Sequence, residues 1–393
     1  MMTMGMSADE QEAFEAGLRH DHKIRVLVNV LDLDHRVKAS ATGVVLSGSV
    51  DIDLTQEVSR SCSLEIRDPD NELGLDVPGP AAAAQFADRM VQVHYGVWSS
   101  DLPRWVNTPI FTGPITSLKR NGQTVSLQAQ GKEVWLTKPQ SRNWRLPRGY
   151  RKTDVIKRVL MESGEDFSEI TRWSDKLTED WQCLSSEAPW AKLQMLAASL
   201  ASHDRGTDPL LFYNGTGYAK LKSFNRNPVW TFKRGVDILS EPDISSDVSN
   251  IKNIVVVYGG TPKGAKKPVT AQVQLPSSHP FSPSSLARNG VPQYLREEVQ
   301  NDQIVSSSAA RQIAQKRLDD VSWAFVDLEF NAMVIPHLEP RDVVTVDNGD
   351  WQWNMQLEKY SIPLSADGQM SVGRHTHTRR VTRRRRPVGR RPR

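Results

Sequence analysis

Trp105-Val-Asn-Thr-Pro-Ile-Phe-Thr-Gly-Pro-Ile-Thr-Ser-Leu-Lys-Arg-Asn-Gly-Gln-Thr-Val-Ser-Leu-Gln-Ala-Gln-Gly-Lys-Glu-Val-Trp-Leu136 sets two runs of alternating character on either side of Asn121-Gly122. That dipeptide is the strongest short-range hairpin signal, because a tight primed turn needs positive φ at both central residues. Val125 and Leu127 oppose Thr124, Ser126 and Gln128 on the second arm, so one face packs and the other is polar. Gly113-Pro114 removes a ladder donor from the first arm and permits a bulge, which suits a sheet that must curve.

The same period extends outward. Ile24 to Leu33, Val44 to Leu54, Ser61 to Asp68 and Met90 to Trp98 read as strands, which gives about six before Pro139 at a sandwich or barrel spacing. Ahead of them, residues 7–19 fit a short helix with Ser7 as N-cap, too short to be stable undocked. Residues 141–232 differ. Thr153 reads as the cap of a helix that stops at Gly164, Pro189 opens a second helix, and Asn214-Gly215 marks a further hairpin. Strand character returns near Asp243, and Ile254-Val-Val-Val ends in a well-buried strand. Residues 261–292 are rich in Pro, Ser and Lys and read as a long surface excursion. Ser306 caps a helix, and Phe325 to Phe330, Asp342 to Asp347 and Trp351 to Tyr360 are strands. Asp367-Gly368-Gln369 matches Asn121-Gly122-Gln123 in kind, so the two β units read as an internal repeat.

The division that follows is an N-terminal arm or short helix over 1–21, a first β domain over 22–140 and an α+β insertion over 141–232. A second β domain spans 233–373, with its excursion at 261–292, and an arginine-rich arm occupies 374–393. The fold class is α+β, mainly β: two antiparallel barrel or sandwich domains, the insertion and an arm of the disordered type. A chain of 393 residues is long enough for about two or three cores.

Charge is distributed unevenly. The net value is +4, but residues 374–393 hold ten arginines and no acid, and removing them leaves −6 on residues 1 to 373. Such an arm has almost no apolar payload and repels itself, so it is disordered or held by a partner. Arg379, Arg380, Arg383, Arg384, Arg385, Arg386, Arg390 and Arg391 are its candidate partner-binding residues, suited to nucleic-acid phosphates or to carboxylates of an acidic protein surface. No run of about 18 apolar residues is present to cross a bilayer, and no secretory signal opens the chain, which reads as made in a cytoplasm.

Catalytic, metal and cofactor signals are missing. His20-x-His22 and His375-x-His377 lack a carboxylate or thiolate at ligand spacing. Asp68-Pro-Asp-Asn-Glu has the acids of a calcium loop but Leu73 where glycine is required, and reads as a turn. The sequence contains no nucleophile elbow, phosphate loop or zinc-protease helix, and an acid pair such as Glu179 and Asp180 lacks motif support. Cys62 and Cys183 read as small buried or half-buried residues. The eleven tryptophans are spread along the chain, which suits core and interface anchors better than a carbohydrate-binding row.

Ile110-Phe-Thr-Gly-Pro-Ile with its hairpin, Val248-Ser-Asn-Ile-Lys-Asn-Ile-Val-Val-Val-Tyr-Gly, Ala309-Ala-Arg-Gln-Ile-Ala-Gln-Lys-Arg-Leu and Leu338-Glu-Pro-Arg-Asp-Val-Val-Thr-Val, in that order, resemble the baseplate hub or tail hub family of long-tailed bacteriophages, the minor tail proteins of siphophages. The match spans most of residues 22–373. The resemblance implies two tail-tube-like β-barrels per chain and a homotrimer whose six barrels cap a six-fold tube. It further implies contact with the tail tube or distal tail protein ring, the tape measure protein and other tail-tip proteins, and a channel for DNA ejection with transient DNA contact. It implies a virion location at the tail tip after assembly in the host cytoplasm, and no enzymatic activity. The arginine arm and the 261–292 excursion match no family motif. The alternatives are a nucleic-acid-binding protein acting through the arm and a tail-tip cell-wall hydrolase.

Overall fold

The computed structural model describes residues 6–19, 23–75, 88–200, 209–222, 227–247, 251–262, 264–302, 304–322, 325–377 and 382–383. A first group of elements comprises α1 (Ala8–Arg19), β1 (Ile24–Leu31), β2 (Val37–Thr42), β3 (Val45–Asp53), β4 (Arg60–Arg67), β5 (Met90–Ser99), β6 (Arg104–Asn121) and β7 (Thr124–Gln130). The next holds β8 (Trp144–Leu146), α2 (Lys152–Glu162), β9 (Ser168–Ile170), β10 (Trp181–Cys183), α3 (Pro189–Ala198), β11 (Leu210–Tyr213) and β12 (Ala219–Lys222). After β13 (Trp230–Lys233) and β14 (Asp243–Asp247) come β15 (Ile254–Gly259), β16 (Thr270–Gln274), β17 (Arg296–Asn301) and α4 (Ser307–Val321). The chain continues through β18 (Phe325–Ala332), β19 (Val343–Asp347), β20 (Trp351–Gln356), β21 (Lys359–Pro363), β22 (Met370–His377) and β23 (Thr382–Arg383).

Eleven strands share one sheet in the order β14-β18-β22-β21-β3-β4-β7-β6-β5-β1-β2, and β13-β19-β20-β23 form a second. The alternation read from the sequence is what the sheet uses. Cys62, Leu64 and Ile66 of β4 and Val125, Leu127 and Ala129 of β7 are buried, while Glu65, Ser126 and Gln128 are exposed. β6 turns the corner: Arg104 to Pro114 pair with β5, and Ile115 to Asn121 pair with β7. The change of partner falls just after Gly113-Pro114, where the sequence puts the bend, whereas the register shifts lie on either side of it, between Pro109 and Phe111 and between Ile115 and Ser117. One apolar core, reaching from Phe14 to Val372, serves strands from both ends of the chain.

Two further cores stand apart from it. Val155, Ile156, Val159 and Leu160 of α2 pack with Trp144, Trp181, Trp190 and Leu193 between residues 136 and 221. Val255 and Val257 of β15 pack with Val269, Leu275 and the Ala310, Ala314 and Leu318 face of α4.

Local chemistry fixes the helix ends. Ser7 Oγ accepts from the Glu10 N–H at 3.2 Å and Glu10 Oε2 accepts from the Ser7 N–H at 2.9 Å, a reciprocal capping box. Ser306 Oγ accepts from the Ala309 N–H at 3.1 Å. Thr153 is not a cap, because α2 begins a residue earlier from extended Arg151 with no side-chain cap. α1 is docked as its length requires, with Phe14 and Leu18 in the main core.

Three expectations are corrected. Asn121 pairs with Thr124, so the tight loop is Gly122-Gln123, with positive φ at Gly122 (60°) and not at Asn121; this is the loop class that takes Gly first. Positive φ at both central residues occurs instead at Asn289-Gly290 (52° and 79°), where Arg288 and Val291 exchange both backbone hydrogen bonds at 3.0 Å. The hairpin at Asn214 has a longer loop, held because Asn214 Oδ1 accepts from the Tyr218 N–H at 2.8 Å. The 261–292 segment is no loose excursion: it contributes β16 and Val269 to the third core. Buried Asn253 ties the rest down, its Nδ2 donating to Phe281 O and Gln293 O and its Oδ1 accepting from the Leu295 N–H.

Candidate assembly interface

The two β units repeat strand for strand and in the same chain order. β3, β4, β7 and the second half of β6 are hydrogen-bonded in that order, and β14, β18, β22 and β21 follow the same order, all antiparallel. The first half of β6 pairs with β5 and then β1, as β20 pairs with β19 and then β13. β20 and β21 together therefore correspond to the single bent β6. The match departs at three pairings: β1 lies antiparallel to β5 whereas β13 is parallel to β19, and among the described residues neither β2 on β1 nor β23 on β20 has a counterpart in the other unit. The Gly122-Gln123 and Gly368-Gln369 connections occupy equivalent places, between β6 and β7 and between β21 and β22.

The units join edge to edge. β3 pairs antiparallel with β21, matching Ile52 with Tyr360 and Val50 with Ile362 on the core side and Asp53 with Lys359 on the other. The Asp53 carboxyl is held below its ordinary pKa: burial raises it, and the Thr55 hydrogen bonds, then the Lys359 charge, lower it further than that. The non-core face of this eight-strand run is small and polar. Ser47 donates to Glu65 at 3.0 Å, Ser49 donates to Asp51 at 2.7 Å, and Gln128, Asn331 and Ser371 are exposed beside them.

The module around α2 and α3 is seated through buried polar chemistry. Lys132 and Glu165, both buried, approach to 2.7 Å, and Lys132 Nζ lies 3.0 Å from His35 Nε2 at the tip of the β1–β2 hairpin. His35 stacks on Phe167 at 3.9 Å and meets Tyr218 edge-on. Thr112 Oγ1 donates to Gly215 O at 2.9 Å, close enough that a Cβ on Gly215 would press on Pro109 and Ile110. Burial lowers the Lys132 pKa, with Glu165 pulling it back up.

His35 is held down from 6.5 to about 4, first by burial and then by the Lys132 charge, with Asp32 opposing. The unfolded chain takes up this proton near 6.5 and the folded chain near 4. The stabilisation is therefore full above pH 6.5 and is lost as pH falls through 4. The urea midpoint is expected to fall between pH 7.5 and 4.5, and His35→Gln is expected to flatten that decline. Parallel declines in the two proteins would contradict this role.

The residues singled out from sequence distribute as follows. In the arm, the backbone of Thr382–Arg383 pairs with β20, and Arg379, Arg380, Arg384, Arg385, Arg386, Arg390 and Arg391 lie outside the described residues, as do His20 and His22. Asp68 forms a turn, its Oδ1 accepting from the Glu72 N–H at 2.7 Å. Asp180 accepts from the Arg148 N–H at 2.8 Å, a loop contact. Cys62 and Cys183 are buried and free. Trp144, Trp181, Trp190, Trp230 and Trp353 are core residues. Among the described residues no group of three His, Cys, Asp or Glu is placed to hold a metal, and no helix is long and apolar enough to cross a membrane. Two shallow grooves of about 390 Å³ line α1 with β13 and the β14–β18 region.

Paired β units joined through one eleven-strand sheet, two satellite cores and a polar sheet face define a mainly β protein. Among solved structures, the chain is similar to the 43 kDa tail protein of prophage MuSo2 from Shewanella oneidensis, at 12% identity and a TM-score of 0.58, over 89% of this chain and 97% of that one. It is similar also to a tail protein from Neisseria meningitidis (15% identity, TM-score 0.59, 90% and 96% covered) and to a prophage tail protein from Listeria monocytogenes (11%, 0.53, 90% and 95%). The fold is thus that of phage tail proteins, as the sequence resemblance implies. No protein-family model and no curated protein sequence matches the chain.

Proposed function

We propose that the chain is a structural virion protein of the phage tail tip: a trimeric baseplate hub that caps the tail tube, seats the tape measure protein and surrounds the channel through which DNA leaves. The observation that carries this reading is the strand-for-strand repeat. Three chains with two equivalent β units each supply six units, the number a six-fold tube presents. Residues 22–140 and 233–373 are the tube-like units, and the cores around α2 and around α4 are additions to their periphery. A lumen faced by serine, glutamine and carboxylates holds nucleic acid weakly, which suits passage. The role is one of symmetry and gating, with no bond chemistry assigned to it.

Light scattering of the purified chain is expected to give a trimer at moderate and high salt, and antibodies to residues 141–200 are expected to label one end of the tail. A chain that stays monomeric at high concentration and is missing from tails overturns the reading.

The arm supports a second reading, because ten arginines within residues 374–393 suit phosphates as well as carboxylates. We assign the arm to an acidic surface of a neighbouring tail-tip protein. Arg374 to His377 lie within β22 and pair with β18, so the arm begins beyond them. Deleting 384–393, which leaves β22 and β23 whole, separates the two: loss of salt-sensitive DNA binding favours nucleic acid, and a trimer that persists but fails to join tails favours the protein partner.

A further inference from the structure

We propose that the outer face of the α2 module, formed by β8, the 147–150 turn and the exposed side of α2, binds a negatively charged lipid surface. The proposal does not depend on the hub reading and holds whether or not the chain forms trimers.

Charge marks this face. Residues 142–162 hold seven basic and two acidic side chains, a net +5, within residues 1–373 that total −6. The rest of the body is therefore repelled by the surface that this face attracts, which fixes the orientation of landing. The fold turns most of the positive charge outward. Arg145 of β8 is exposed opposite Gln182, because Trp144 and Leu146 on either side of it are buried. Arg148 and Tyr150 are exposed on the turn that leads into α2. Along α2, Val155, Ile156, Val159 and Leu160 take the core face, and the helical period leaves Asp154, Lys157, Arg158 and Met161 together on the other side.

The nearby acids are few and mostly engaged. Glu162 is paired with Arg158 at 2.8 Å and Arg142 at 3.0 Å, and it accepts from the Trp144 indole at 3.0 Å. Asp180 accepts from the Arg148 N–H. Among the described residues Arg145, Arg148 and Lys157 have no ion-pair partner.

Two apolar tips decide the kind of anion. Met161 is 54% exposed and Tyr150 is 44% exposed, both among these cations. The hydrogen bond to Glu162 leads the rise in the Arg158 pKa and Tyr150 adds to it, so the turn and the helix face lie side by side. Nucleic-acid phosphates satisfy the cations but leave the Met161 thioether in water. A lipid surface takes both: headgroup phosphates meet the cations, while Met161 and the tyrosine ring enter the boundary between headgroups and acyl chains. The contact is adsorption, since no described helix is long and apolar enough to cross.

The test compares the full chain with the chain ending at Arg383, each sedimented with vesicles of phosphatidylcholine alone or with about a third phosphatidylglycerol. Both proteins are expected to bind the anionic vesicles and to ignore the neutral ones. In the chain ending at Arg383, Arg145→Ser, Arg148→Ser and Lys157→Ser together are expected to weaken binding about a hundredfold, at roughly fivefold per cation. Tyr150→Ser with Met161→Ser is expected to weaken it about tenfold and to remove the part that survives high salt, where charge is screened. All five side chains are exposed, and an unchanged urea midpoint verifies that the variants fold. Failure of the chain ending at Arg383 to bind anionic vesicles overturns the proposal and leaves any binding by the full chain to the arm. Equal binding by the triple-serine protein overturns it as well. Indifference to Tyr150→Ser and Met161→Ser overturns the lipid assignment, and competition by duplex DNA would then make the face a nucleic-acid surface.

Discussion

Lys132→Met is expected to destabilise the folded chain by about 3–5 kcal/mol, because it leaves the Glu165 carboxylate buried without its partner. Lys132 Nζ lies 2.7 Å and 2.9 Å from the two Glu165 oxygens, and both side chains are sealed from water. The ammonium also faces the Phe167 and Tyr213 rings at 5.3 and 5.8 Å. Urea denaturation followed by tryptophan fluorescence measures the loss. Trp144, Trp181 and Trp190 sit in the core that Glu165 joins, whereas Trp353 and Trp230 sit in the main one. Glu165→Gln in the same chain is expected to return a large part of the loss, since Gln keeps an acceptor for the Phe167 N–H that Glu165 Oε1 now receives at 3.0 Å. Equal stability of Lys132→Met and the parent would mean that the pair holds nothing together.

That contact also marks where sequence reading stops. Lys132 and Glu165 look like ordinary solvated charges, and no local pattern sets a buried ion pair apart from an exposed one. The β3–β21 pairing is equally silent, since it joins residues about three hundred positions apart and strand edges carry no mark of their partners. What is legible is what repeats locally: the alternation of β4 and β7, the N-caps at Ser7 and Ser306, and the Gly113-Pro114 bend. The 261–292 segment lies between these cases. Its Pro, Ser and Lys content reads as loop, yet Val269, Ala271, Val273 and Leu275 alternate through it at a strand's period and pack toward α4. Period outweighs composition there, because burial follows the side-chain face while the exposed face stays free to be polar. The Asn-Gly signal misled for a related reason: at 121–122 the ladder continues one residue further, so pairing of Asn121 with Thr124 set the turn rather than the dipeptide's preference.

Gly113→Val is expected to cost about 3 kcal/mol or more, through space and not through backbone conformation. Gly113 has no positive φ, but a Cβ there would press into the Gln130 carbonyl, with Phe111 Cζ at 3.1 Å on another side. The carbonyl is backbone at the end of β7 and cannot rotate away as a side chain would, so β6 or β7 must shift. Gly122→Ala is the control with the opposite character: its φ of 60° is strained for alanine, but nothing lies within 4 Å of the added Cβ. It is expected to cost about 1–2 kcal/mol from local strain alone. Urea midpoints of the two variants measure the difference. If Gly122→Ala is the more damaging, the tight turn holds the sheet and the corner is tolerant. If Gly113→Val is, close approach of β6 to β7 at the corner is what lets one strand serve two halves of the curved wall.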